Sequence, residues 1–288
     1  MPMTGDIPTA VAEWLAEQGE GQIVNSRLAG GGCISNGRTV HTSSGKSYFL
    51  KTNPQVSEDF FKQEAAGLTA LSVRDGPRIP KCFLVGREFI LMEDLKPAAR
   101  DGSYWRLLGQ RLATLHNTTN DLFGFDEDNY IGSTPQPNTW IENGYEFFGD
   151  HRLRFQVRLA FERKLLGAGE LRGVEALIQR LPELIPLQPA SISHGDLWSG
   201  NLISDEFGMP ALIDPAVYFG WAEADLAMMN LFGSVPDEFL RSYMEIRPLE
   251  PRLRARYQIY NLYHLLNHLN LFGGSYLHQV QAILKKYS

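Results

Sequence analysis

Cysteine is nearly absent: the 288 residues hold only Cys33 and Cys82, too few for the disulfide framework of a small secreted domain. Excess positive charge is missing as well. With 27 Lys and Arg against 33 Asp and Glu, the formal net charge of -6 supplies none of the basic footprint that binds nucleic acid or an anionic membrane surface. No apolar run approaches the ~18 residues of a bilayer-crossing helix. The opening MPMTGDIPTAVAEWLAEQGE lacks the basic region and apolar stretch of a secretory signal. The expectation is a cytoplasmic protein in a reducing compartment, with neither nucleic acid nor membrane as partner. The sequon NTT at Asn117 is then a chance match, because glycosylation needs a secretory route. Internal repeats and low-complexity tracts are also lacking.

What is present divides into two textures, as the length prior of about 100–200 residues per domain suggests. IPTAVAEWLAEQG has helical spacing of Ile7, Val11, Trp14 and Leu15 and stops at Gly19. QIVNSRLAGGGCISNGRTVHTSSGKSYFLKTN then alternates short apolar stretches with Gly and Ser clusters, which predicts strands and turns. SEDFFKQEAAGLTALSV returns to helical period with Ser57 as expected N-cap, and CFLVGREFILMEDL reads as two strands turning at Gly86 and Arg87. After the connector LKPAARDG, helical period dominates, and the only strand-like interruption expected is SISHGDLWSGNLISDEFGMPALIDPAVYFGW, residues 191–221. The tail predicts two helices split at Gly273 and Gly274. The fold class is therefore α+β, with a small β-rich lobe over 1–93 and a larger, mainly helical lobe over 94–288.

In SYFLKTN, strand alternation puts Phe49 and Lys51 on one face and Tyr48 and Leu50 on the other. Lys51 alone could be a strand-end lysine reaching water. Glu64, however, lies within the apolar stripe of its helix, where an unpaired carboxylate is costly, so the two charges are expected to neutralise each other. The glycines of LAGGGCISNG would let backbone amides approach a phosphate, although such turns are also common in β sequence. GKS at Gly45 is not a phosphate-binding P-loop, since Val40 stands where that motif needs glycine.

Within residues 191–221, NLIS and MPALIDP predict two short strands turning at Asp205 to Gly208. That hairpin would place Asn201 at its entry and Asp214 at its exit, an amide oxygen and a carboxylate able to meet around Mg²⁺, which takes oxygen ligands and binds phosphates. The segment lacks zinc-type His and Cys spacing. Asp196 would stand beside the ion, placed to accept a proton from an attacking hydroxyl. Any one of these residues could instead cap a turn; the three together favour chemistry.

HGDLWSGN followed by IDPA, with GGGCISNG, FLKTN and QEAAGLTAL upstream, resembles the fructosamine/ketosamine-3-kinase family, a branch of the protein-kinase-like and aminoglycoside-phosphotransferase-like small-molecule kinases. LGQRLATLH, FGFDEDNYIGSTPQPNTW, EADLAMMNLFG and LYHLLNHLNLFGGSY extend the likeness over nearly the whole chain. HGDxxxxN by itself would indicate only the broad group; Trp198 and NYIGSTPQPNTW point to the ketosamine branch. The resemblance implies a two-lobed protein-kinase-like fold using ATP and Mg²⁺. It implies transfer of the γ-phosphoryl to the 3-hydroxyl of a ribulosamine, erythrulosamine or fructosamine adduct, small or protein-linked, whose unstable product frees the amine.

By the same resemblance Lys51, paired with Glu64, would hold the α- and β-phosphates. Gly30, Gly31, Gly32, Cys33, Ile34, Ser35 and Asn36, in the loop ending at Gly37, would cover the phosphates, and Met92, Glu93, Asp94 and Leu95 would receive adenine. Asp196 would be the catalytic base, and Asn201 and Asp214 the metal ligands. His194 would shape the loop and Asp225 brace it, while Trp198, Trp140 and Trp221 are the expected acceptor contacts. Trp221-Ala222 and Gly144-Tyr145 depart from the residues expected of many relatives, at segments expected to border the acceptor site. Cys33 is a candidate redox thiol able to cross-link two chains, or an incidental small residue in a turn. Monomer and homodimer both stay open, as do two rival readings: a kinase of the same fold acting on an aminoglycoside, choline or homoserine-like hydroxyl, and an inactive nucleotide-binding module.

Overall fold

The computed structural model describes residues 7–29 and 35–287. The expected phosphate-loop residues Gly30, Gly31, Gly32, Cys33 and Ile34 lie outside the described residues, and with them the redox reading of Cys33.

Alternation builds the first lobe. Helix α1 (Thr9–Glu17) precedes strands β1 (Ile23–Leu28), β2 (Asn36–Thr42) and β3 (Ser47–Thr52); helix α2 (Phe60–Leu71) and strands β4 (Cys82–Gly86) and β5 (Phe89–Glu93) follow. All neighbours are antiparallel, in the order β1-β2-β3-β5-β4. Tyr48, Leu50, Phe89 and Leu91 face α1, packing with Val11, Leu15 and Val40. The opposite face sets Ile90 and Met92, with half-buried Phe49, against Phe61 and Leu68 of α2. The sheet is thus clamped between two helices, and Lys51, on the Phe49 side, faces α2 rather than water. Helix α2 starts later than the sequence predicts, and Ser57 is not its side-chain cap. The Ser57 carbonyl accepts from the Phe60 N–H at 3.1 Å, so residues 57–59 form a turn leading into the helix.

The second lobe is mainly helical: α3 (Tyr104–His116), strands β6 (Thr119–Asn120), β7 (Asn129–Ile131) and β8 (Thr134–Gln136), and helices α4 (Gly144–Phe147), α5 (Phe155–Glu162) and α6 (Ala168–Leu184). Then come β9 (Ala190–Ser193), β10 (Leu202–Ser204), β11 (Pro210–Leu212), β12 (Tyr218–Gly220), α7 (Ala222–Met228), α8 (Asp237–Ile246), α9 (Leu253–Phe272) and α10 (Leu277–Tyr287). Between α4 and α5 the chain widens to a π-helical turn over Phe148–Arg154. A Cβ on Gly109 of α3 would stand 2.4 Å from the Phe239 carbonyl of α8, which is why these helices cross where α3 has a glycine.

The hairpin β10–β11 lies where the sequence predicts it, with Leu202 opposite Leu212, and α9 and α10 separate after Phe272. Strands β6, β7 and β8 correct the expectation that residues 191–221 hold the lobe's only strands. They are two or three residues long, too short for a period-2 signal, and exist through partners: β6 pairs with β9, and β7 with β8. Among the described residues no helix is long and apolar enough to cross a membrane.

Candidate active site

The Lys51 ammonium lies 2.8 Å from Glu64 Oε1 and 2.5 Å from Asp214 Oδ1, with the Lys51 and Glu64 side chains 11% and 10% exposed. β3 delivers the lysine and α2 the glutamate, as their spacing predicts; Asp214 joins them from 163 residues away, a contact no local pattern reveals. Burial opposes the lysine's charge, but Asp214 and Glu64 outweigh it and hold the pKa above the ordinary lysine value. Burial pushes Glu64 upward against the pull of Lys51.

The loop after β9 is held from below. Asp225, in the first turn of α7, accepts from the backbone N–H groups of His194 at 2.7 Å and Gly195 at 3.0 Å. Its Oδ2 also takes His116 Nε2–H at 3.2 Å, and Tyr243 O–H donates to His116 Nδ1 at 2.8 Å. Burial alone would raise Asp225; His116 and the His194 amide outweigh it, and its pKa lies below the usual carboxylate range. His194 donates Nε2–H to the Ile213 carbonyl at 2.9 Å, tying the loop to the end of β11. Gly195 adopts φ +81, and a Cβ there would lie 1.9 Å from the Ala216 carbonyl oxygen, so the tight approach of 195 to 216 requires glycine.

Asp196 sits over this frame. Asn201 Nδ2 donates to its carbonyl at 2.8 Å and to its Oδ2 at 3.3 Å. Burial, then the nearby Asp214 charge, push the Asp196 carboxyl up to about 7, a basicity suited to taking a proton near neutral pH. A buried histidine shifts the opposite way: burial pushes His264 of α9 down to about 3 from 6.5. For His264 the unfolded chain takes the proton first, so its contribution to stability is complete above about pH 6.5 and declines below it, by about 2 kcal/mol at pH 5. Asp196 acts oppositely, because the folded state protonates first. The destabilisation caused by His264→Gln should therefore shrink by about 2 kcal/mol between pH 7.5 and pH 5. Urea unfolding of parent and variant at both pH values checks this, and an unchanged difference refutes the buried neutral histidine.

Two cavities meet at these groups. One, of about 150 Å³, is lined by Ser35, Lys51, Glu64, Asp196, Asn201 and Asp214, with Phe60, Tyr130 and Trp198 as its aromatic wall. The other, of about 280 Å³, lies between the sheet and the connector, lined by Phe49, Leu68, Met92, Glu93, Asp94, Leu95, Ile203 and Ile213. Ser35, Lys51, Asn201 and Asp214 border both. The larger is an apolar slot of a kind that fits a flat base; the smaller gathers the charged groups and the candidate base. The Glu93 N–H already donates to the Lys81 carbonyl at 2.8 Å, so it is not free for a ligand. Asn36 is exposed on β2, opposite Thr52, and lines neither cavity.

Of the three tryptophans expected at an acceptor, only Trp198 lines the cleft. Trp221 is a correction: it is 4% exposed and packed among Phe123, Tyr145, Phe148 and Tyr260, a core residue because β12 turns it inward ahead of α7. Trp140 is a second correction, lying against Phe219 and outside the cleft lining. Gly144 and Tyr145 share with Trp221 a separate surface depression, so these segments do not border the cleft. Sequence reasoning missed Phe60, Gln63, Asn129, Tyr130 and Pro215 as lining residues; Asn129 and Tyr130 fall within NYIGSTPQPNTW, a segment whose strands are too short to be read.

The donor set suits a hard divalent ion. With Nδ2 turned to Asp196, the Asn201 amide is oriented by its own hydrogen bonds, and the Asp214 carboxylate borders both cavities. Two protein oxygens leave most positions to water and phosphate, as Mg²⁺ prefers. Among the described residues no cluster of three or more His, Cys, Asp or Glu forms a self-sufficient metal site.

The profile of the fructosamine kinase family matches residues 7–288. A probable ketoamine kinase of Synechocystis is 38% identical over 296 residues, covering 99% of both chains. A chloroplastic protein-ribulosamine 3-kinase of Oryza sativa subsp. indica is 37% identical over 298 residues, covering 100% of this chain and 85% of the relative. The crystal structure of a candidate fructosamine-3-kinase from Thermobifida fusca superposes with a TM-score of 0.88 at 30% identity, covering 97% of this chain and 98% of that one. Choline kinase from Streptococcus pneumoniae, at 18% identity and a TM-score of 0.65, shares the fold.

Proposed function

The chain belongs to the fructosamine kinase family, and from that premise we propose that it is an ATP-dependent phosphotransferase acting on the 3-hydroxyl of ketosamines. The observation that carries the reading is the junction of the two cavities, where Lys51, Asp196, Asn201 and Asp214 converge. Adenine would occupy the larger slot against Phe49, Leu68 and Met92, with the backbone of Asp94 and Leu95 at its edge. The γ-phosphoryl would then point into the smaller cavity.

Lys51, fixed by Glu64, holds the α- and β-phosphates. Ser35, the first described residue of the expected phosphate loop, borders both cavities. Asn201 and Asp214 would hold Mg²⁺, which when bound would neutralise phosphate charge. Asp196 takes the proton of the 3-hydroxyl as its oxygen attacks the γ-phosphorus and the bond to the bridging oxygen breaks, releasing ADP. Asp225 and His194 keep the loop under Asp196 in place without touching the reacting atoms. Trp198, with Phe60 and Tyr130, offers the sugar flat apolar faces. The nucleotide lobe is taken to end at residue 93 and the acceptor lobe to begin at 94.

An ATP-consumption assay over ribulosamines, erythrulosamines, fructosamines, choline and aminoglycosides tests the assignment. Turnover on at least one ketosamine is expected, with the phosphate on O3 by NMR. Turnover confined to choline or an aminoglycoside, or on none of the panel, overturns it.

A further inference from the structure

Asp214 adopts φ +58, a left-handed conformation that a non-glycine residue keeps only where its surroundings over-determine it. The preceding side is held: the Ile213 N–H donates to the Asn201 carbonyl at 3.2 Å, and the Ile213 carbonyl accepts from His194. On the following side the Ala216 N–H donates to the His194 carbonyl at 2.8 Å. The carbonyls of Ala216 and Val217 are taken by two buried amides that the mechanism above does not use. Gln136 Nε2 donates to the Ala216 carbonyl at 3.0 Å, and Asn129 Nδ2 to the Val217 carbonyl at 2.7 Å.

These amides have one orientation. Tyr263 O–H donates to Gln136 Oε1 at 2.6 Å, and Gln136 Nε2 also donates to Asn129 Oδ1 at 2.7 Å. Turning the Gln136 amide over would set its oxygen against two acceptors, the Ala216 carbonyl and Asn129 Oδ1. Gln136 is 1% exposed and Tyr263 1%, so water offers no substitute partner, and an unmade bond here is costly. The chain of bonds runs from α9 through β8 and β7 to the residues after Asp214.

We infer that Tyr263, Gln136 and Asn129 are positioning residues that hold Asp214 in its left-handed conformation, carboxylate toward Lys51 and the cleft. The inference rests on the reading of Asp214 as a metal ligand for phosphoryl transfer. None of the three donates to or accepts from the reacting groups; they act through the backbone of 216 and 217.

Gln136→Met keeps the side chain's length and removes both donors. In the cation-free, nucleotide-free protein, amide exchange over residues 213–217 should accelerate by roughly tenfold or more while the rest of the chain stays within about twofold. The variant's kcat should fall by about 10- to 100-fold and its half-saturating Mg²⁺ concentration rise at least about fivefold, with acceptor KM within about twofold. Tyr263→Phe, which removes only the hydroxyl, should shift all three in the same direction by less. The double variant should be no worse than Gln136→Met by more than about twofold, because the chain is broken once. Unchanged exchange at 213–217, acceleration spread over the whole chain, a rise confined to acceptor KM, or full additivity of the two substitutions each overturns the inference. The exchange measurement involves no acceptor, so it succeeds or fails independently of whether the substrate is a ketosamine.

Discussion

Asp196→Asn should lose about 10²–10⁴-fold in kcat, the contribution of a positioned general base, while Mg²⁺-ATP binding stays within about threefold of the parent. The amide matches the carboxylate in shape and can accept from Asn201 through its oxygen, so the loop braced by Asp225 keeps its form; what disappears is the proton acceptor. The same change should make the protein more stable. Burial and the Asp214 charge hold the Asp196 carboxyl at about 7 against 3.8 in an open chain, so ionising it costs folding free energy that grows from pH 3.8 upward and is complete above about pH 7. That cost is at most about 4 kcal/mol, and a neutral amide escapes most of it. Thermal unfolding at pH 8 should therefore shift upward as turnover collapses. A near-normal rate removes Asp196 from the base role, and a fall in both rate and melting temperature makes the residue structural instead.

Lys51→Met should be damaging in both respects. It leaves Glu64 and Asp214 facing each other with no cation between them, and removing one partner of a buried ion pair costs about 3–5 kcal/mol. Because Glu64 already lies above the usual carboxylate range, part of that loss is relieved when it takes up a proton, so the variant should be closer to the parent in stability at pH 5.5 than at pH 8. Loss of the phosphate contact should lower kcat/KM for ATP by about 10³-fold or more. Chemical denaturation at the two pH values and ATP kinetics measure both. A variant as stable as the parent at pH 8 would show that Lys51 does not neutralise these carboxylates.

The half of the site that depends on periodicity is readable from the sequence alone. Lys51 interrupts an alternating strand and Glu64 an apolar helical stripe, and each anomaly implies the other, because a charge on a buried face needs a counter-charge. Asn201 and Asp214 are readable because a hairpin brings its two ends together. Trp140 and Trp221 were not, since an aromatic ring's identity says nothing about whether it faces a cleft or a core; packing against Phe219 and against Tyr260 decided that. Ser57 is not a cap because a residue of capping type also suits the turn before a helix that starts three residues on.

Legible in the chain alone are the local periods, the charged residues that break them and the short motifs: the α+β division, the hairpin after β9, and Lys51, Glu64, Asp196, Asn201 and Asp214 as candidates for the site. How segments remote in the chain share atoms is legible only in the folded molecule. Asp214 reaches Lys51 across 163 residues, Asp225 takes the amides of His194 and Gly195, and Gln136 holds the carbonyl of Ala216. The reason is physical: periodicity records which face of an element is buried, whereas a hydrogen bond between elements depends on their relative placement to a fraction of an ångström, which the packing of the whole core sets.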